Sequence, residues 1–375
     1  MSRATYDVVV VGAGIVGAAC ASQLAGRGLR VAVVDRECVG GGATAAGMGH
    51  IVVMSDSEAQ FALTRYSQLL WRDLSSEMPA DVEYQQCGTI WVAEDEEEMG
   101  EVRRKQAYYT QRAVPVEVID GSTLARLEPN LRQGFAGALL VPEDAVLYPP
   151  CAARCLMELA KAKGAELHLG FTVSRIGQGR VCARDREFSA GAIVNAAGAW
   201  ASELMPELDV KKRKGHLLIT DRYAGFVRHA LVELGYLKSV HSLSSDSVAF
   251  NVQPRITGQI LIGSSRQYGA ETTGVDSEIL SRMLRRAQKY MPGLGELSTI
   301  RAWTGFRAAT PDRVPYIGPW PEDKTIFLAT GHEGLGITAA LGTGQLVADQ
   351  LTGTKSRIPI EPYLPARTGA ERIHA

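Results

Sequence analysis

The sequence predicts a mixed α/β and α+β chain, in which a parallel, doubly wound unit is interleaved with a second unit built on antiparallel strands. Three observations predict it. A strand, glycine turn, helix and second strand occupy residues 6–35. Glycine-rich turns beside apolar segments recur far along the chain, at 194–200 and 331–337. Between them lie short strands at hairpin spacing, which suits antiparallel pairing.

At roughly 150 residues per domain, 375 residues suggest two to three domains. Hydrophobic residues make up 46% and charged residues 22%, so the chain can bury a core without staples. Lys+Arg number 40 and Asp+Glu 41. That balance excludes nucleic-acid binding through a bulk basic field and gives no acidic disordered tail. The cysteines at 20, 38, 87, 151, 155 and 182 are scattered and form no Cys-x-x-Cys. Neither a disulfide scaffold nor a resident iron–sulfur cluster is expected, and a reducing cytoplasm is. Cys151 and Cys155 share a helix face and read as small core residues. No charge falls between Asp7 and Arg27, but Gly12, Gly14, Gly17 and Gly26 make that run a poor membrane span.

Tyr6–Val11 reads as a buried strand because Val8 to Val11 are all β-branched. Gly12-Ala13-Gly14-Ile15-Val16-Gly17 follows, then a helix over Ala18–Gly26 and a strand ending in Asp35-Arg36. This is the full context of a dinucleotide fingerprint. Gly12 permits the tight turn, Gly14 lets the backbone approach a pyrophosphate, and Gly17 lets helix and strand pack closely. The helix N-terminus offers N–H groups to phosphate, and Asp35 can accept ribose hydroxyls. The motif alone does not separate FAD from NAD. A second loop of small residues, Gly40 to His50, can approach another part of a large cofactor.

Helices are predicted over Glu58–Leu74, from the acidic run Glu94–Glu98 to Arg112, after Asp120, and from Tyr148-Pro149-Pro150 through Lys163. Strands are predicted over Val82–Val92, Val116–Ile119, Glu166–Ile176, Arg180–Cys182 and Phe188–Asn195. Lys211-Lys212-Arg213-Lys214 reads as a solvated face, with an acidic partner or lipid headgroups as the alternative. A strand follows over Leu217–Thr220, strands at Val227–Val232, Val248–Val252 and Gln259–Gly263 are expected to build a roofing sheet, and Asp276 caps a helix to Met291. A strand over Thr299–Phe306 leads to Arg307, whose neighbours Trp303 and Phe306 set it near an interior cavity. Gly331-His332-Glu333-Gly334-Leu335-Gly336-Ile337 precedes a helix over Thr338–Leu351. That helix start can stabilise negative charge on a ring lying against it.

The fingerprint, the Ala43–Met48 loop, Val194–Trp200, Trp303–Asp312 and Gly331–Ile337 occur in an order that resembles the FAD-dependent D-amino acid oxidase superfamily. The likeness is to its glycine/sarcosine oxidase branch, and there to the D-hydroxyproline dehydrogenase β-subunits. The resemblance implies a Rossmann-like FAD-binding domain of the GR2 type over 1–80, 144–212 and 301–375. It implies a substrate-binding domain over 81–143 and 213–300. It assigns FAD contacts to the fingerprint, to Asp35 and Arg36, to Gly42, Ala43, Thr44, Ala46, Gly47 and Met48, and to Val173 on the adenine side. Ala196, Ala197, Gly198 and Trp200, and Gly331 through Thr338, complete the set. Gly305 stands where related enzymes attach flavin through cysteine, so FAD is expected to be non-covalent.

The resemblance further implies that Arg307 binds a substrate carboxylate, a task suited to a bidentate, permanently charged fork. Arg266 is expected to add positive charge, and His50 to lie near the flavin. Asn251 falls where relatives carry a carboxylate-binding tyrosine, with Tyr268 and Tyr236 as substitutes. The implied reaction is hydride transfer from an amino acid, such as cis-4-hydroxy-D-proline, to flavin N5. The implied setting is a complex with a second flavoprotein and a small iron–sulfur subunit, cytoplasmic and peripheral to the inner membrane through those partners. An O₂-using amino acid oxidase, an opine oxidase or hydrogen cyanide synthase subunit, a flavin monooxygenase and a non-catalytic cofactor-binding subunit are the alternatives.

Overall fold

A computed structural model describes residues 5–184, 186–235 and 246–367. Thr5–Val11 is the central strand of an eight-stranded sheet. Val31–Asp35 and Arg186–Asn195 flank it in parallel, and Glu166–Leu169 and Ile326–Thr330 extend the parallel core. The valine run is buried on both faces, as a covered parallel sheet requires. Val8 and Val10 meet the helices Ile15–Gly26, Pro149–Ala162 and Gly336–Thr352, while Tyr6, Val9 and Val11 pack on the other side.

The second sheet has nine strands. Its order runs His332–Glu333, Thr299–Ala309, Lys211–Thr220, Ile260–Arg266, Ser247–Pro254, Ala230–Glu233, Thr89–Ala93, Gly137–Val141 and Glu117–Asp120. Pairing is antiparallel except between Ala230–Glu233 and Thr89–Ala93. Helix Ser277–Tyr290 covers one face through Met283 and Ala287, against Phe250, Val252 and Ile262. Asp276 caps it by accepting from the amides of Glu278 and Ile279. The boundaries expected at 212/213 and 300/301 both fall inside strands of this sheet.

Three sequence expectations are corrected, the first being that the strand expected over Val82–Val92 forms only at Thr89–Ala93, with Val82 ending a short helical turn. The extended run over 166–176 is interrupted by Gly170 at φ +80, giving separate strands Glu166–Leu169 and Val173–Gly177. The basic run is a solvated face only in its first half, Lys211 and Lys212. It begins Lys211–Thr220, an interior strand of the nine-stranded sheet, where Arg213 and Lys214 are buried. Glu333 neutralises Arg213, and the Gly274 carbonyl accepts from Lys214 Nζ. Their partners come from distant segments, so local charge density misleads. Among the described residues no helix is long and apolar enough to cross a membrane.

Candidate active site

A groove of about 350 Å³ runs along the carboxyl ends of the parallel strands, where open α/β sheets bind ligands. Gly12, Gly14, Ile15, Val16, Asp35 and Arg36 line its first part. Gly12 has φ +108, and a Cβ there would lie 2.5 Å from the Ala196 carbonyl oxygen. Gly17 lies behind the wall, where the Gly12 carbonyl leaves no room for a side chain. The Ala13 amide donates to Asp35 Oδ2 at 2.6 Å, and the Glu37 amide to Oδ1 at 2.8 Å. Asp35 therefore pins the turn as well as lining the groove. Thr44 Oγ1 accepts from the Ile15 amide at 3.0 Å, joining the second loop to the helix start.

Gly42, Ala43, Val173, Ala196, Ala197, Gly198 and Trp200 line the same groove. The Arg36 guanidinium lies 4.4 Å from the Trp200 ring centre. Gly331, His332, Glu333, Gly334, Gly336 and Ile337 close the far side. His332 Nε2 bonds Thr343 Oγ1 at 2.8 Å, and burial pushes its pKa down to about 4. Thr338 is not in the groove wall; its hydroxyl donates to the His50 carbonyl at 2.8 Å and accepts from the Val52 amide. Gly47 abuts Ile337.

At its inner end the groove opens into a cavity of about 200 Å³, and Ala43, Glu333 and Gly334 line both. Arg307, Arg266, Asn251, His50, Ala46, Met48 and Leu335 line the cavity. Arg307 Nη1 donates to the Ser265 carbonyl at 2.8 Å. Gly215, on the neighbouring strand, makes room for the guanidinium: a Cβ there would stand 2.8 Å from Arg307 Cζ and Nη2. Gly305, paired with Gly215, is packed against Ala46 so closely that a larger side chain has no space. Arg266 Nε lies 3.9 Å from Glu333, which also pairs with Arg213. Tyr268 hydroxyl accepts from Arg213 at 3.0 Å and is not part of the cavity wall. Tyr236 lies outside the described residues.

His50 Nε2 bonds Thr89 Oγ1 at 2.7 Å, and burial holds the ring neutral with a pKa near 4. Thr89 reaches Asp144, whose Oδ1 also accepts from Gln68 at 2.8 Å. Burial lifts the Asp144 carboxyl to about 7. Gly215, Thr89, Asp144, Trp91 and Gln253 carry no local motif, so sequence reasoning missed them. Strand pairing brings Gly215, Trp91 and Gln253 to the cavity, while Thr89 and Asp144 stand behind His50.

The fit to a dinucleotide rests on the Gly12 cradle, the open helix start and one continuous path from Asp35 to Arg307. Fold and site together define a dinucleotide-dependent oxidoreductase. The chain belongs to the FAD dependent oxidoreductase (DAO) family, whose model matches residues 7–350. It is similar to glycine oxidase from Geobacillus kaustophilus (strain HTA426), at 29% identity over 96% of each chain. The crystal structure of glycine oxidase from Geobacillus kaustophilus superimposes with TM-score 0.88 at 27% identity, covering 98% of this chain and 99% of that one. Hydrogen cyanide synthase subunit HcnC of Pseudomonas aeruginosa (strain PAO1) is 29% identical, covering 97% of this chain and 96% of its own length. L-proline dehydrogenase from P. horikoshii gives TM-score 0.88 at 25% identity over 99% of both chains. The protein is an FAD-dependent oxidoreductase of glycine oxidase-like type.

Proposed function

We propose that this protein oxidises a D- or secondary amino acid to the imino acid, with cis-4-hydroxy-D-proline as the best candidate, as the catalytic β-subunit of a dehydrogenase complex. The observation that carries the reading is Arg307, held by the Ser265 carbonyl at the inner end of the dinucleotide groove. When bound, FAD supplies the two-electron acceptor for the substrate hydride. The protein's own part is positioning. Arg307 grips the carboxylate as a charged fork, which leaves the α-carbon toward the mouth shared with the groove. Met48, Leu335 and Trp91 exclude water around the amine. Glu333 balances Arg213 and Arg266, so it tempers the positive field around Arg307.

The hydrogen cyanide synthase subunit among the relatives supports a place in a complex, and the proline dehydrogenase neighbour supports a cyclic amine. An iron–sulfur centre would sit on a partner, because the cysteines here are scattered. The same proposal puts the complex in the cytoplasm, at the membrane only through partners. It assigns FAD binding to the eight-stranded unit and substrate binding to the nine-stranded one.

The glycine oxidase relatives favour a second reading, an O₂-using oxidase. Anaerobic bleaching by a panel of D-, L- and N-alkyl amino acids tests the substrate. Mixing the reduced enzyme with air tests the acceptor: slow reoxidation is expected, and fast reoxidation with stoichiometric peroxide would overturn the dehydrogenase reading.

A further inference from the structure

The cavity wall away from Arg307 is formed by strand Ser247–Pro254. Phe250 and Val252 point into the core under helix Ser277–Tyr290. Asn251 and Gln253 therefore face the other way, and both line the cavity. Gln253 is 0% exposed, yet among the described residues neither its Oε1 nor its Nε2 has a hydrogen-bond partner. Asn251 Oδ1 is also buried without a partner among the described residues. A buried amide with no protein partner at either end is an uncommon choice, because a core strand without function favours an apolar residue there. Val232, in register beside Asn251, is apolar, and Trp91, the next in register, carries an indole Nε1 that is also buried without a partner among the described residues.

We infer that Gln253, with Asn251, is a specificity site that recognises a hydroxyl group on the side chain or ring of the substrate. The inference rests on the proposed amino acid chemistry, with the carboxylate at Arg307. The chemical class follows from the groups presented. Asn251 Oδ1 and Gln253 Oε1 accept, Gln253 Nε2 donates, and Trp91 Nε1 is a second donor on the same wall. A carboxylate satisfies the donors but faces two carbonyl oxygens. An ammonium satisfies the acceptors but meets the amide N–H. A hydroxyl donates and accepts at once, so it pairs with both kinds. A substrate lacking it leaves the amide unpaired, which is the arrangement that discriminates most strongly.

The test compares wild type with Gln253→Leu, an apolar side chain of similar size. Two probes without an amine are used, tetrahydrofuran-2-carboxylate and its 4-hydroxy derivative, and binding is read from the absorbance change of bound FAD. Wild type should bind the hydroxylated probe at least about tenfold more tightly, and the variant should bind the two alike. The ligand-free variant should melt no lower than wild type, because among the described residues the amide has no protein partner to lose. A wild type that does not discriminate, or a variant that keeps full discrimination, overturns the inference. So does a variant that melts lower and loses both probes equally, which would make Gln253 structural. If Gln253→Leu does not retain FAD, Asn251→Ala is read by the same two probes. Neither probe needs turnover, so failure here is separate from failure of the bleaching panel.

Discussion

Replacing Gly215 with alanine isolates the function of Arg307 from its contribution to folding. The added Cβ would stand 2.8 Å from Arg307 Cζ and Nη2, and nearer still to Nη1. Ordinary contact begins at about 3.4 Å, so the nearest atom, Nη1, retreats by about 1 Å. Its 2.8 Å bond to the Ser265 carbonyl bends or breaks, and the fork leaves its aim on a carboxylate. A charge-assisted hydrogen bond is worth about 1.5–3 kcal/mol, so kcat/KM should fall roughly ten- to hundredfold. Stability should barely change. Gly215 is not at positive φ, and the obstructed atoms are the end of a flexible side chain. Anaerobic stopped-flow bleaching with the best amino acid gives kcat/KM, and thermal melting checks the fold. In an Arg307→Ala background the Gly215→Ala change should add nothing, because the two act on one interaction. Turnover within twofold of wild type, at unchanged Tm, would refute the placement of the carboxylate at Arg307.

Further outcomes follow from the same geometry. Gly12→Ala meets the Ala196 carbonyl at φ +108, costs about 1–3 kcal/mol of stability and should purify depleted of FAD, read from the 450/280 nm ratio. Trp200→Ala removes the ring under Arg36 in the groove wall and should weaken FAD about fivefold on reconstitution of apoprotein; unchanged affinity would count against an FAD contact there. Asp144→Asn keeps the acceptor for Val53 and Gln68 but cannot ionise. The Asp144 carboxyl is raised from 3.8 to about 7, so the folded state holds its proton more tightly. That stabilisation is complete below about pH 4 and is lost as pH rises through 7. The Tm of Asp144→Asn minus that of wild type should therefore climb between pH 5 and 8. His50 and His332, depressed to about 4, slope the other way, but they are common to both proteins and cancel. A flat difference would contradict a protonated Asp144.

Much of the molecule is legible one segment at a time. The valine strand, the Gly12–Gly17 turn and Asp35 declare a βαβ unit, because their roles depend on backbone conformations within about 30 residues. Asp120 and Asp276 announce helix starts through bonds to amides two or three residues on. Arg307 could be singled out from its aromatic neighbours and the family resemblance. What surrounds it could not. Gly215 reads as an ordinary glycine until strand Lys211–Thr220 pairs with Thr299–Ala309 and sets it against Arg307. Arg213 and Lys214 look like surface charge until Glu333 and the Gly274 carbonyl arrive from other strands and loops. Gln253 looks like a polar strand residue until the packing of Phe250 and Val252 fixes which way it points. Local sequence determined the backbone framework and the dinucleotide cradle, since short-range hydrogen bonds and allowed dihedrals suffice for both. Only the tertiary structure decided which charges are buried and what the cavity recognises. Burial and pairing are set by residues tens to hundreds of positions apart.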